Sequence, residues 1–464
     1  MSAISADVPR SQWKLSGYWM AIVVLMSGAS ILKIGSGIGE TDSGEAPISS
    51  ECEGQSNLHY IRAPGGSYGS ENGSDWTNAF DGIPSALTRG HSYYIADGAY
   101  SSYTANDAQS GTTVIRLCKA TADDHGTETG WDSTFGDGQA TFTTLYTSTP
   151  YWVIDGARGD GSASNAGRTD PTSYGFYMAP SSGDAFNYGG FSDGSINVTA
   201  KHIAVECAGS AEGASSGDHQ YAFHGWSDSF TLSYSFVSNC QVGVWNQGDG
   251  LIVEYTAIID GWSLVSPSLH GVHIEVIDNP IIRFNFLQGC PSQCIEPGGD
   301  STTTSTGGAF YGNIIKDAGT PVDSENGFMV GVSQSAFFDT LLYNNTMVGG
   351  AGPFFTPDRD TGVNCASGNI VQNNILFDVT NGELIEEGCG DPTIHDYNTS
   401  YDTPGSISGE ANGENLSGDP FVNSAADDYH LASGTTAGVA LGSPYNVDMD
   451  GVTRSTPDRG AFEF

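Results

Sequence analysis

Four short segments of the sequence align without gaps and carry the residues best suited to chemistry. They are AFHGW, GVWNQ, GVHIE and QCIE, at residues 222–226, 243–247, 271–275 and 293–296. The alignment gives one mostly apolar column, which is predicted to face inward: Phe223, Val244, Val272 and Gln293. Because side chains alternate along a strand, the neighbouring columns face outward. These are His224, Trp245, His273 and Cys294 in one column and Trp226, Gln247, Glu275 and Glu296 in the other.

The outward columns predict a carbohydrate site that contains acid and base groups. Trp226 and Trp245 offer flat apolar faces that can stack on sugar rings. If their coils are adjacent, Glu275 and Glu296 lie about 4.8 Å apart at Cα. One carboxyl group can then hold a proton and act as general acid while the other stays charged. The candidate catalytic residues are Glu275, Glu296 and His273, and the candidate substrate-binding residues are Trp226, Trp245, His224, Gln247 and Arg283.

Other interpretations of the same residues stay open. Exposed glutamates on a sheet are usually solvated, and two stacked acids can hold a calcium ion through oxygen ligands. Zinc at His270 and His273 is disfavoured, because residues three apart on one strand face opposite ways. The run NVDMDG at 446–451 resembles the start of a calcium loop but lacks the glutamate that completes one. The sequence therefore predicts no definite cofactor, and calcium is the metal that its acids could bind.

The four segments belong to a repeat that runs from about residue 151 to residue 405. Each repeat is a β-rich run with an Asn near its end, and these Asn residues, at 285, 313, 345, 374 and 398, are 28, 32, 29 and 24 residues apart. Such a period indicates a solenoid of stacked units. It leaves no room for a helix in every repeat, so three short strands per coil are expected, joined by right-handed crossovers. The fold class is all-β, a single-stranded right-handed parallel β-helix of about nine coils.

The Asn column is predicted to stabilise the turns of this solenoid. Asn tolerates the left-handed turn conformation, and its side chain can hydrogen-bond to the same position in the next coil. At the N-terminal end a helical cap is predicted over Ser74–Leu87, where an N-cap Ser precedes apolar residues at helical spacing. The β-helix domain is expected over 56–464, with cap and first strands in 56–150, coils in 151–405 and a C-terminal cap in 406–464.

The N-terminal residues 1–34 are predicted to direct export. An apolar run at 17–32 follows Arg10 and Lys14, the order of a signal peptide or a signal anchor, and residues 35–55 read as a flexible linker. The sequence does not decide whether the segment is cleaved. The net charge of -39 disfavours nucleic acid as a partner. The protein is expected to be a monomer, secreted or at the cell surface, with membrane contact only through an N-terminal anchor.

Eight cysteines in an exported chain favour disulfides over metal or redox roles. Cysteines about one coil apart can bridge, since adjacent coils lie within disulfide reach. This predicts the pairs Cys207–Cys240 and Cys365–Cys389, with Cys290–Cys294 closing a small loop and Cys52 left to pair with Cys118. Buried free thiols are the alternative.

Three segments carry a family resemblance. They are DMDGVTRSTPDRGAFEF at 448–464, GDPFVNSAADDYHL at 418–431 and HYIRAPGGSYGSENGSDWTNAF at 59–80, the last followed by YYIADGAY. They resemble secreted right-handed parallel β-helix repeat proteins of bacteria, in the pectate-lyase-like group. The resemblance implies the fold and export but no one reaction, because this group mixes polysaccharide lyases, hydrolases, epimerases and proteins without a known reaction. The Gly-His-Gly and Arg-x-Lys patterns of polygalacturonases are absent from the sequence.

The sequence thus predicts an extracellular β-helix protein that binds polysaccharide along one sheet. Whether it also cleaves the polysaccharide, as a lyase or a glycoside hydrolase, is left open. A lyase needs a cation for the uronate carboxylate, and the coils offer few basic residues, Arg283 among them. The alternative is a non-catalytic structural or adhesive protein of the cell surface.

Overall fold

In the computed structural model the chain forms a parallel β-helix of short strands. The structure describes residues 50–158, 170–189, 197–208, 220–259, 270–275, 278–290, 293–298, 304–318, 336–358, 367–380, 384–387, 394–403 and 407–464. For some strand residues, among them His273, Glu275 and Glu296, the description covers the backbone alone. No α-helix occurs among the described residues, which contain three single-turn 3-10 helices at Ser133–Phe135, Pro171–Ser173 and Ser424–Ala426.

Two long parallel sheets run the length of the solenoid. The first sheet has thirteen strands: Phe80–Asp81, Leu58–Arg62, Ser92–Ile95, Ile115–Lys119, Trp152–Asp155, Val198–Lys201, Thr231–Ser233, Ile252–Glu254, Ile281–Arg283, Ala309–Tyr311, Leu341–Tyr343, Ile370–Gln372 and Ile394–Asp396. The second sheet has twelve: Gly98–Tyr100, Ala140–Phe142, Phe176–Met178, Ile203–Glu206, Phe236–Ser238, Ala257–Ile259, Phe286–Gln288, Ile314–Lys316, Thr346–Val348, Ile375–Phe377, Thr399–Tyr401 and Glu414–Asn415.

Three smaller sheets complete the fold. The third sheet has seven parallel strands: Tyr103–Ala105, Leu145–Thr147, Phe186–Tyr188, Tyr221–Gly225, Val242–Asn246, His270–Glu275 and Ile295–Gly298. A four-stranded sheet contains Thr304–Thr306, Ala336–Phe338, Phe355–Asp358 and Ile385–Glu387. A two-stranded antiparallel sheet joins Phe421–Asn423 to Asp428–Leu431.

The core is a stack of apolar side chains inside the coils. Strands of three to five residues suffice because each places one or two apolar side chains inward and its neighbours outward. Along the first sheet the partners on one inner row are all nearly inaccessible to solvent: Leu117, Ile154, Ala200, Leu232, Val253, Ile282, Phe310, Leu342 and Val371. Each coil therefore buries its apolar row only when the next coil is in place.

The all-β class and the parallel β-helix are confirmed, but the estimate of about nine coils is too low. The first sheet alone has thirteen strands. The repeat is recognisable in the sequence only where the Asn recurs, whereas the sheet begins far upstream with Leu58–Arg62, Ser92–Ile95 and Ile115–Lys119. These early strands lack the Asn signal.

The Asn residues form a continuous buried ladder, as predicted. The amide Nδ2 of Asn313 donates to Asn345 Oδ1 at 3.0 Å and to the carbonyl of Ile282 at 2.8 Å. The same pattern joins Asn285 to Asn313, Asn345 to Asn374 and Asn374 to Asn398. Beyond the predicted ends, Thr256 and Ser235 extend the ladder toward the N-terminus, and the Glu410 carboxylate accepts from Asn398 at the other end.

The left-handed turn conformation lies one residue earlier than predicted. Phe284, Asn344, Asn373 and Tyr397 have φ of 56°, 56°, 60° and 60°, and each directly precedes a ladder Asn. The ladder Asn residues are not among those with positive φ. The preceding residue makes the bend, and this leaves the ladder side chain free to point inward along the stack.

The predicted helical cap over Ser74–Leu87 is wrong. The Asp75 carboxylate accepts hydrogen bonds from the backbone and the side chain of Asn78, which closes a local turn in place of a helical one. Phe80–Asp81 then pairs with Leu58–Arg62 as an edge strand of the first sheet. Trp76 is fully buried and donates from Nε1 to the carbonyl of His125, so tertiary contacts hold this segment.

Three of the four predicted disulfides are confirmed. Cys52–Cys118, Cys207–Cys240 and Cys290–Cys294 are bonded, with Cα separations of 6.1, 4.9 and 5.1 Å. Cys365 and Cys389 lie outside the described residues, as does the apolar run at 17–32. Among the residues that are described, no helix is long and apolar enough to cross a membrane.

The last fifty residues pack back on the final coils. The backbone N–H of Gly460 donates to the carbonyl of Asn373, and that of Ala461 donates to Thr346 Oγ1. Gly460 has φ of +90°, and a Cβ there would come within 2.6 Å of Ile375, so the close approach requires glycine. The buried Arg459 donates to the carbonyl of Asn398 at the end of the ladder.

The C-terminal segment also contains a charged clamp. His430 Nε2 lies 2.9 Å from Asp450 and Nδ1 lies 2.6 Å from Asp428, while the ring stacks on Phe462. The hydrogen bond to Asp450, followed by that to Asp428, outweighs burial and raises the pKa of His430 from 6.5 to about 9. Because the folded-state pKa is the higher one, the clamp stabilises fully below about pH 6.5 and fades as pH rises through about 9.

We expect this clamp to give a small pH-dependent term in stability. The His430 side chain is 41% exposed, so screening reduces the effect to about 1 kcal/mol between pH 6 and pH 9.5. Denaturant titrations of the wild type and of His430→Gln at both pH values measure it. The variant should lose less stability than the wild type over that interval, and equal losses would contradict the clamp.

Candidate functional site

The third sheet brings the predicted outward residues together on one face. Its backbone register makes consecutive partners of Tyr146, Asn187, His224, Trp245, His273 and Glu296. The neighbouring inner row is fully buried at Phe186, Phe223, Val244, Val272 and Ile295. The predicted alignment is therefore confirmed for the segments that begin at Ala222, Gly243 and Gly271, and its inner column is buried at Phe223, Val244 and Val272. We call the row from Tyr146 to Glu296 the outer row.

The last segment is displaced by two residues from the predicted alignment. Val272 pairs with Ile295 instead of Gln293, and His273 pairs with Glu296. Glu275 pairs with Gly298, so the predicted side-by-side pair of Glu275 and Glu296 is wrong. The Cys290–Cys294 disulfide, with its Cα atoms 5.1 Å apart, lies directly before the strand that begins at Ile295. The predicted alignment places the polar Gln293 in an apolar inner column, and this mismatch indicates that the register of the last segment is incorrect.

His224 is held by a carboxylate from the turn before the adjacent strand, Phe186–Tyr188. Its Nδ1 lies 2.8 Å from Asp184 Oδ2, and the side-chain amide of Asn187 donates to the same oxygen at 3.1 Å. A carboxylate only accepts, so the neutral imidazole carries its proton on Nδ1 and keeps Nε2 as an acceptor. The His224 side chain is 13% exposed and that of Asp184 is 24% exposed. The pair is therefore oriented and still in contact with solvent.

Aromatic rings surround this imidazole. The ring of His224 lies 4.7 Å from Trp226, 4.7 Å from Tyr221 and 5.2 Å from Trp245. Tyr221 also contacts Trp245 edge-on at 4.7 Å. Trp226 and Trp245 are half-buried, so part of each indole faces outward. We call His224, Tyr221, Trp226 and Trp245 the aromatic cluster.

Buried residues fix the position of the cluster. The phenol of Tyr188 donates to the carbonyl of Trp245 at 3.1 Å, and its ring stacks on Phe230. Burial, with the charge of Asp184, raises the pKa of Tyr188 well above its ordinary value, so the phenol stays a donor. Trp226 and Gln247 lie just beyond the ends of their strands. Their backbone N–H groups still donate to the carbonyls of Tyr188 and Gly225 in the preceding coils, as in the sheet.

Arg283 does not belong to this site. It lies on the first sheet, where Nη2 is 2.5 Å from Glu254 and Nη1 donates to the Tyr311 phenol at 2.8 Å. Burial alone would lower the pKa of Arg283, but the Glu254 charge and the Tyr311 hydrogen bond raise it. The structure therefore separates Arg283 from the other predicted substrate-binding residues, because outward alternation does not say which sheet a strand joins.

Sequence reasoning missed Asp184, Asn187 and Tyr221. The segment FNY at 186–188 aligns with FHG at 223–225, one coil later, and this alignment would have put Asn187 in the outer row. Asp184 lies in the turn before that strand, where no periodic pattern applies. Metal ligands are not gathered in the described part of the chain, which contains no group of three or more His, Cys, Asp or Glu side chains suited to an ion.

Known structures share this architecture. The fold is similar to that of the pectate lyase Pel9A, with 14% identity, coverage of 91% of this chain and 98% of that chain, and a TM-score of 0.53. A PL6 family polysaccharide lyase from Pseudopedobacter saltans is more distant, with 11% identity, 83% and 98% coverage and a TM-score of 0.47. No protein-family model matches the sequence, and no curated protein matches it significantly.

The fold therefore defines the class of this protein. It is a parallel β-helix protein whose fold is similar to that of a pectate lyase, in agreement with the fold that the sequence resemblance implies. At 14% identity the similarity establishes the fold alone. Any activity has to be argued from this chain's own residues.

Proposed function

We propose that this protein binds polysaccharide along the outer face of the third sheet. The observation that carries the proposal is the aromatic cluster, in which His224 contacts Trp226 and Trp245 from adjacent coils. Indole faces can stack on sugar rings, and polar groups beside them can fix the orientation of the hydroxyl groups. His224 Nε2 and the Asn187 side chain supply such groups. The regular strand spacing suits an extended polymer better than a single small molecule.

Cleavage of the bound chain is a further part of the proposal. His273 pairs through its backbone with Trp245 on one side and with Glu296 on the other. Glu275 lies two residues after His273 on the same strand. A carboxyl group and an imidazole on adjacent coils are suited to proton transfer. We therefore assign any catalytic role to His273 and Glu296 as a pair, with Glu275 flanking them.

Export and a monomeric, right-handed solenoid complete the proposal. Three disulfides support an oxidising compartment, such as the cell exterior or the periplasm. Right-handed winding follows from the general preference of parallel crossovers. Calcium is proposed only as an optional ion for the acids of the site.

A glycan screen tests the proposed function. The purified protein is run through native gels that contain neutral or uronate polysaccharides, with and without calcium, and the same mixtures are assayed for reducing ends and for absorbance of unsaturated products. Retardation by at least one polysaccharide is the expected result. A structural or adhesive protein that recognises no glycan would migrate unchanged in every gel and release no product, and this outcome would reject the proposal.

A further inference from the structure

We infer that the outer face of the third sheet selects uncharged polysaccharides and disfavours polyuronates. This inference rests on the proposed function and names the substrate class of the same site. The charge of the bound polymer is not specified by the fold. Pectate is a polyuronate, so the similarity in fold to a pectate lyase raises the question of whether this face also accepts an acidic polymer.

The strands of the third sheet contain no Lys or Arg. The seven strand sequences, from Tyr103–Ala105 to Ile295–Gly298, contain neither Lys nor Arg. A charged side chain that contacts the aromatic cluster is an acid, Asp184, which accepts from His224 at 2.8 Å. A uronate at this place would meet like charge. The chain as a whole, at a net charge of -39, adds to the repulsion.

Four of the basic residues that the structure describes are engaged elsewhere. Lys201 pairs with Glu51 and Arg283 with Glu254 on the first sheet, while Lys316 pairs with Asp427 on the second. Lys119 is fully buried against Asp97. The described side chains include no group of three or more His, Cys, Asp or Glu suited to a metal ion.

The groups that are present suit neutral sugars. Trp226 and Trp245 provide stacking surface, which depends on the apolar face of the sugar ring and not on its charge. His224, with its tautomer fixed by Asp184, can accept a hydrogen bond from a hydroxyl group at Nε2. Recognition by stacking and by neutral hydrogen bonds needs no residue of opposite charge. An uncharged polysaccharide can therefore bind this face without the cost of burying an unpaired charge.

Two polymers with one backbone test the inference. Polygalacturonate and fully methyl-esterified homogalacturonan share one backbone and differ in the carboxylate charge and in the ester methyl group, and their affinities are measured by affinity electrophoresis in a chelating buffer at low ionic strength. The ester is expected to bind at least tenfold more tightly than the acid. Added salt should narrow the difference, because it screens the repulsion.

Two matched variants locate the effect. Asp184→Asn removes one negative charge from the face and should shift the ester-to-acid affinity ratio toward the acid by about threefold to tenfold. Asp402→Asn makes the same change at an exposed turn after Thr399–Tyr401 and should leave the ratio unchanged. Equal binding of acid and ester by the wild type without divalent cations would overturn the inference while leaving the proposed function intact. If no polysaccharide in the wider screen binds, the proposed function fails, and the inference fails with it.

Discussion

Replacing Asn345 by alanine will lower the free energy of unfolding by about 3–5 kcal/mol, since each buried group left unpaired costs about 1–3 kcal/mol. Asn345 is fully buried, and its Oδ1 accepts from both the backbone and the side chain of Asn313, each at 3.0 Å. Its Nδ2 donates to the carbonyl of Phe310 at 2.9 Å. Alanine removes a hydrogen-bond partner from two donors of Asn313 and from two acceptors, the carbonyl of Phe310 and Asn374 Oδ1, in a buried place.

Guanidinium titration followed by circular dichroism measures this loss, with Asn423→Ala as the control. Asn423 is exposed, with an extended backbone at φ of -161° and no capping hydrogen bond, so its replacement should change stability by less than about 0.5 kcal/mol. Hydrogen exchange gives a local readout, because the Asn313 amide should lose its protection first. Similar losses in the two variants would mean that the ladder does not stabilise the coils.

Replacing Trp245 by alanine will weaken binding to a neutral polysaccharide by about thirtyfold, equivalent to about 2 kcal/mol, the typical cost of truncating an aromatic anchor. Trp245 contacts two other members of the aromatic cluster, His224 and Tyr221. Its removal takes away stacking surface and loosens the imidazole. Trp245→Phe keeps a flat ring and should recover most of the affinity.

The control for this prediction is a tryptophan in another cluster. Trp131 packs against Trp76 and His125 at the N-terminal end, so Trp131→Ala should leave affinity unchanged even if it lowers stability. Affinity electrophoresis on the polymer that binds best, with thermal unfolding to verify folding, gives the comparison. If Trp131→Ala and Trp245→Ala weaken binding equally, the site lies elsewhere or the loss is a folding effect.

Much of the fold was readable from the sequence because its signals are local. The Asn spacing gave the coil period, and the buried ladder from Asn285 to Asn398 bears it out. Alternation within each strand separated Phe223 and Val244 from His224 and Trp245 correctly. The cap at Ser74–Leu87 failed for the opposite reason, since the helical spacing there was overridden by the Asp75 turn and by the burial of Trp76.

By itself, the sequence determined the solenoid, the inner and outer faces of its strands and three disulfide pairs, since each depends on residue type and on spacing within about one coil. Only the tertiary structure decided which outward side chains meet. Coils of unequal length shift the register, so the Cys290–Cys294 loop put Glu296 beside His273 and away from Glu275. In the same way Asp184 reached His224 from a turn 40 residues away in the sequence, and Arg283 joined Glu254 on another sheet.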